Sequence, residues 1–414
     1  MTDNYGYIPD EFAPEDVAEF NALTGKYDPT GQPAIVVWNT LEPHVREQAD
    51  TMDKIRSAGW IILWWNIARY CKIPIWESNQ GQLGSCAGWS AANGYMITVL
   101  YQMMLGAFRF VAVNPLAMWV RTKNWSMSGG QTMSKVMIGG NRLGNYPVQR
   151  VGEYGTKLTK ELIGKIESAT DEATLHQFGA CRLTQERGGV SPPVLVHRII
   201  LCLRAGMVVC IGNSVRVSGS KIDSNNMRVA TIGGTWSHAT LLDGYIEVNG
   251  TVYLHWTNSH GNRYMGADRF NTPESGCWMT IKTLTQFCSG RYTDAFCIYR
   301  AEAPVDAART SFTPATLGDG RQQTAAEMAF RLRFSRETRF FCLEIYSSRR
   351  NHGQNICTWN IRNVCNDDCW RERRAGGVRT SGCAQFSRTC RTTRTGSNDR
   401  HLGLSPHRQD HRRI

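Results

Sequence analysis

The chain has 414 residues, 42% of them hydrophobic and 20% charged, a composition that fits an ordinary packed core and a length that allows two or three domains. Its net charge of +12 is lopsided: from Val305 onward there are 20 Arg, no Lys and 10 acids, leaving 27 basic and 25 acidic residues before it. The pI of about 9.1 therefore belongs to the tail and excludes reading the whole chain as a basic binding protein.

The opening, MTDNYGYIPDEFAPEDVAEF, is acidic and has no apolar core, so no secretory signal is expected. The 14 cysteines then read as reduced thiols, and their spacing fits no small disulfide scaffold. Residues 1–55 read as a polar N-terminal arm, disordered or docked, with turn signals near Asp28–Gly31 and a short helix over Leu41–Ile55. Gly59–Ala68 is the most apolar window. At ten residues it is too short to cross a bilayer, so no membrane partner is expected and the location is taken as cytoplasmic or virion-associated.

The central stretch is Asn79–Asn93, NQGQLGSCAGWSAAN. Gly81 and Gly84 permit a sharp turn and close backbone approach. Ser85 is a good N-cap, and Ala87, Trp89, Ala91, Ala92, Tyr95, Met96, Val99 and Leu100 follow at mostly helical spacing. Cys86 then sits at a helix N-terminus, where unpaired N–H groups favour a thiolate. Gln80 could turn its amide toward an oxyanion formed by attack of that thiolate on a carbonyl. A lone cysteine is more often core packing than a nucleophile, so partners must be sought further on.

Residues 56 to about 150 read as mostly helical, and the aromatic stripe of Asn114–Arg121 reads as core. The paired glycines Gly129–Gly130 and Gly139–Gly140 lack the Gly-Lys-Ser/Thr that phosphate binding would need. Ser191-Pro-Pro starts a helix that ends at Ala205–Gly206, and Met207–Gly212 follows as a buried strand. Ala239–Glu247 and Thr251–Thr257 are strands joined through Asn249–Gly250, a strong hairpin signal. The hairpin carries His238 near one strand end and Asn258 just past the other. These are 152 and 172 residues after Cys86, close to the order and separation of a thiol–imidazole–amide set.

Three blocks, QGQLGSC, SHATLLDGY and NSHGNRYMG, resemble those of the papain-family (C1-type) cysteine peptidases in their bacterial and viral style. The resemblance implies an α+β, two-lobed papain-like fold over residues 56–303, a helical lobe beside an antiparallel β-barrel-like lobe. It also implies Cys86 as nucleophile, His238 as base and then acid, Asn258 as orienter of the imidazole and Gln80 in the oxyanion hole. Departures are Ala87 where the family usually has Trp, Leu83 where many members have a disulfide cysteine, and His260 in place of the Trp that shields the His–Asn bond.

With that trio a resting thiolate–imidazolium pair, an acyl-enzyme and water-driven deacylation follow from chemistry, with a polypeptide as substrate and no cofactor or metal. His255, inside a strand, reads as packing, while His260 is the one rival base. Two other readings stay open: an idle papain-like fold serving as a structural or virion component, and acyl transfer to amines. Residues 304–414 form a basic tail with little apolar periodicity. An arm binding nucleic acid or an acidic surface, a plain disordered tail and a translation in a shifted frame all fit it. Cys365, Cys369, Cys383 and Cys390 match no familiar zinc spacing.

Overall fold

The computed structural model describes residues 3–304 apart from 5, 11–12, 29–30, 58, 106–107, 156, 185–189, 262 and 265–266, and beyond them the backbone of four strands. The order is β1 (Asp3–Asn4), α1 (Pro14–Ala22), β2 (Thr24–Gly25), β3 (Ile35–Val37), α2 (Trp38–Ser57), α3 (Trp64–Tyr70), α4 (Cys86–Leu105), α5 (Pro115–Arg121) and α6 (Met133–Arg142). Then come α7 (Val148–Val151), α8 (Lys160–Ser168), α9 (Thr170–Ala173), β4 (Phe178–Arg182), α10 (Pro192–Arg204), β5 (Val208–Ile222), β6 (Arg228–Val248), β7 (Thr251–Thr257), β8 (Gly276–Thr280), α11 (Ile281–Phe287) and β9 (Thr293–Ala301). Past them, β10 (Ala326–Leu332), β11 (Leu343–Arg349), β12 (Cys357–Asn360) and β13 (Arg388–Cys390) pair antiparallel among themselves. The rest of the basic tail lies outside the described residues, as do Cys365, Cys369 and Cys383.

Alternation within the strands explains the layering. On β5, Val208 and Cys210 join one apolar cluster while Val209 and Ile211 join another; Phe296 and Ile298 on β9 are likewise divided from Ala295 and Cys297. The sheet is thus covered on both faces, which is why its strands read as unbroken apolar runs. The helix α4 lies in the first layer, packed on β5, β6 and β9, and α2 and α10 belong to the second. From Cys86 to Tyr101 every residue of α4 is buried, the mark of a central helix rather than a surface one. Gly94 permits this approach, since a Cβ there would lie 2.7 Å from Ile298 Cδ1.

The principal sheet follows the open path β2-β3-β4-β9-β5-β6-β7-β8, with β1 added beside β6 and one further pairing, Val229 to Trp278, between β6 and β8. One open mixed sheet therefore stands where a barrel-like lobe was expected, because strands from the first 57 residues extend the edge beyond β4. That N-terminal segment is built into the body: Phe20 is fully buried edge-on against Phe296, and Leu41, Val45, Ala49 and Met52 form the buried face of α2. Among the described residues no helix is long and apolar enough to cross a membrane, and the eight described cysteines are free thiols.

Candidate active site

The β6–β7 hairpin places two of the sequence-predicted groups. Its turn residues Asn249 and Gly250 have φ of 50° and 74°, the left-handed pair that a tight hairpin with the sheet's own twist requires. The ladder runs from Val248 opposite Thr251 back to Leu241 opposite Thr257, so His238 and Asn258 emerge at the same end. Nε2 of His238 lies 2.7 Å from Oδ1 of Asn258. The amide is oriented by two more bonds: Ser259 N–H donates to the same oxygen at 2.8 Å, and Asn258 Nδ2 donates to the Tyr264 hydroxyl at 3.2 Å. An oxygen facing the ring makes Nε2 the donor, leaving Nδ1 as the basic nitrogen.

Cys86 opens α4, as its sequence position suggests. Its sulfur is reached by the backbone N–H groups of Ala239, Ala87 and Cys86 itself, and Ala239 directly follows His238. The thiol and the imidazole-bearing strand are thereby brought together across the seam between α4 and β6. Ser85, expected as the cap, hands its backbone carbonyl to Trp89 N–H at 3.0 Å while its hydroxyl is engaged with Tyr154 at 2.9 Å. Tyr154 in turn donates to the Gln80 carbonyl at 2.9 Å, so one phenol ties the nucleophile's turn to the glutamine's.

Gln80 is buried beside the pair. Its backbone N–H donates to Ser259 O at 2.7 Å, its Oε1 accepts from Ser259 Oγ at 2.6 Å, and its Nε2 donates to Leu83 O at 2.7 Å. Ser259 therefore holds both the oxyanion candidate and the orienting amide. Ser259, Tyr264 and Tyr154 were missed in the sequence. Ser259 and Tyr264 both stood inside the NSHGNRYMG block, and nothing local marked Tyr154.

The rival histidines separate cleanly. His260 lies parallel to His238, centroids 4.6 Å apart and planes at 22°, while Trp236 meets the other ring edge-on at 4.7 Å. His260 thus takes the covering position rather than the basic one. His255 points its Nδ1 at Asp243 inside the sheet, between Trp65 and Trp278, and is core. Among the described residues no group of three His, Cys, Asp or Glu is placed to hold a metal.

The electrostatics depart from the expected ion pair. Burial pushes the Cys86 thiol up to about 12 against the pull of its three backbone N–H groups. Burial, with neighbouring His260 and Arg263, drives His238 well below its ordinary range despite the Asn258 bond. Both groups are fully buried, and burial disfavours each charged form. In this closed form the site is a neutral thiol beside a neutral imidazole.

The cover is the chain's own N-terminus. β1 pairs parallel with Trp236 and Ser237, immediately before His238. Ser237 Oγ donates to Tyr7 O at 2.5 Å. Gly6 lies against Gly84, two residues before Cys86: a Cβ on Gly6 would be 2.0 Å from Gly84 Cα. Gln131 N–H then donates to Gly6 O at 2.8 Å and Ile8 N–H to Gln131 O at 3.1 Å. This strap crosses from the strand that bears His238 to the loop before α6, passing over the turn that bears Cys86.

No family model matches the chain, and no curated protein matches it. Its structure is similar to that of xylellain, a cysteine protease from Xylella fastidiosa, at TM-score 0.37 and 17% identity over 56% of this chain and 84% of that one. It is similar to the Carica candamarcensis cysteine protease CMS1MS2 in complex with E-64, at TM-score 0.35 and 15% identity over 57% and 95%. A third likeness is to digestive procathepsin L 3 of Tenebrio molitor larval midgut, at TM-score 0.36 and 12% identity over 53% and 65%. These neighbours are papain-like cysteine proteases.

Proposed function

We propose that this chain hydrolyses peptide bonds with Cys86 as nucleophile and His238 as general base and acid. Asn258 fixes the imidazole, and Gln80 together with the Cys86 backbone N–H receives the oxyanion. The observation that carries the reading is the 2.7 Å bond from His238 Nε2 to Asn258 Oδ1 at the strand end whose next residue, Ala239, touches the Cys86 sulfur. That arrangement leaves Nδ1 to take the thiol proton, and an acyl-enzyme then forms by attack of sulfur on the substrate carbonyl. His238 returns the proton to the leaving amine and next draws one from the water that cleaves the thioester.

Access is a precondition, since Cys86 and His238 are both 0% exposed with the strap in place. Displacing the strap admits water and substrate, removes the desolvation that keeps both groups neutral, and lets the proton pass from sulfur to nitrogen. Peptide hydrolysis measured on wild type and Cys86→Ala tests the reading; full thiol-independent activity in the variant would overturn it.

An idle fold used as a structural or virion component is the second reading, favoured by the same burial of Cys86. A thiol-reactive probe separates the two. Labelling of Cys86 at mildly acidic pH faster than ordinary thiols supports the peptidase, and labelling no faster supports the idle fold. Amine capture of the acyl group would show as a transamidated product.

A further inference from the structure

We infer that the strap Gly6–Asp10 is a gate latched by the carboxyl pair Asp10–Asp294 and that it loosens as the medium moves from acid toward neutrality. The inference deepens the peptidase reading, because the site it closes is the one assigned to Cys86 and His238. Its basis is a buried knot 284 residues apart in sequence. Asp294 Oδ2 on β9 accepts both the Tyr7 hydroxyl and the Asp10 backbone N–H, the latter at 3.1 Å. Asp10 Oδ2 accepts Ser134 Oγ from α6 at 2.6 Å, and Oδ1 accepts Ser134 N–H at 3.3 Å. These bonds, with Ser237 on Tyr7 O, fasten the strap to three elements.

The charge count in the knot is unbalanced. The groups facing Asp10 are Asp294 on β9, Arg182 on β4, Ser134 on α6, and Tyr7 on its own segment, with Tyr292 beside Tyr7. Arg182 reaches Asp294 at 3.1 Å and Asp10 at 3.8 Å. Arg291 and Thr184 line the same cavity of about 530 Å³, and Asp16 on α1 pairs separately with Lys135. One guanidinium within ion-pair reach thus serves two buried carboxyls, so the pair is most stable holding a proton. Burial, then the charge of Asp294, holds Asp10 up to about 7, whereas a solvated aspartate titrates near ~3.9.

The sign follows from proton binding. The closed form binds the extra proton more tightly than the open one, so closure is strongest below the open-state value. It weakens by about tenfold per pH unit up to the closed-state value near 7, then levels off. The cavity beside Asp10 and Asp294 gives solvent a path to the exchanging proton.

The test is hydrogen exchange by mass spectrometry on the full chain carrying Cys86→Ala, with intrinsic rates divided out. Protection at the Ile8 and Asp10 amides should fall about tenfold per unit from pH 5 to 7 and level above about 7, with α4 unchanged as the internal control. Asp10→Asn, which keeps an oxygen for Ser134, should hold a flat profile. If that variant does not fold, Asp294→Asn should move the levelling-off point to lower pH, because Asp10 then meets Arg182 without an opposing carboxylate while its burial remains. Flat wild-type protection, or an unchanged profile in the variant that folds, overturns the latch. A latch that opens as described in a wild-type chain that never cleaves peptides would sink the peptidase reading alone.

Discussion

Two polar pairs govern this site and differ in how the chain assembles them. His238 and Asn258 are twenty residues apart and are joined by one hairpin, whereas Asp10 and Asp294 are 284 apart and meet only when the first strand has crossed the finished sheet. The hairpin pair is set by local turn chemistry and a ladder that cannot slip without turning every side chain over. The strap pair depends on long-range closure, buries two acids beside one base, and carries a proton-dependent strength. On the proposed reading, a site made of both has a rigid half for the chemistry and a releasable half that sets access.

The largest expected effects fall on the rigid half. With the strap displaced, Cys86→Ala and His238→Ala should each lower peptide hydrolysis by at least about 10⁴-fold with circular dichroism unchanged, since nucleophile and base act as one unit. Activity retained in either variant would reverse the roles argued for the two halves. Next comes Gln80→Ala, expected to lower kcat by about 10²–10³-fold, the usual effect of losing one oxyanion donor. A rise in KM with kcat unchanged would show that Gln80 binds ground-state substrate instead.

The same contrast explains what could be read in advance. The Asn-Gly turn, the apolar runs of β5 and β9, the Pro-led start of α10 and the cysteine helix are local signals, and each element stands where its residues point. Cys86, His238 and Asn258 could be singled out because two of them share the hairpin and the third opens a helix, and their catalytic roles belong to the proposed function. Within the first 57 residues the helix expected over Leu41–Ile55 stands inside α2 (Trp38–Ser57), but the strands were not legible: β2 and β3 are two and three residues long, below any periodicity, and β3 is made a strand by β4, far along the chain. Asp10 looked like one acid in an acidic opening. Its partners lie on α6, β4 and β9, and only the fold unites them. The upward push on the Cys86 thiol and the downward push on His238 were hidden for the same reason, since burial in the finished fold causes both.

Within the strap, Tyr7→Phe removes the hydroxyl that Asp294 accepts and leaves the ring packed against Gly212 and Tyr292. A hydrogen bond to a charged group contributes about 1.5–3 kcal/mol, so the open fraction should rise by roughly 10–100-fold. Alkylation of Cys86 by iodoacetamide at pH 7 should accelerate by the same factor, while alkylation of the urea-unfolded chain stays equal. An unchanged native rate would mean that the strap is held chiefly by its backbone bonds to Gln131 and by β1.

The smallest effect is the one that probes the hairpin alone. Gly250 has φ of 74° and no heavy atom near the position a Cβ would take, so Gly250→Ala meets backbone strain but no clash. Strain of that kind destabilises by about 1 kcal/mol, equivalent to about 2–4 °C in Tm for a domain of this size. The turn begins eleven residues from His238, and the intervening stretch of β6 is paired with β5 from His238 to Leu242 and with β7 from Leu241 to Val248. Peptide hydrolysis at 25 °C should therefore be unchanged while thermal unfolding shifts downward. A loss of activity that matched the loss in Tm would mean that the His238–Asn258 bond is tuned by the far end of its own hairpin, and that the rigid half is less rigid than its register suggests.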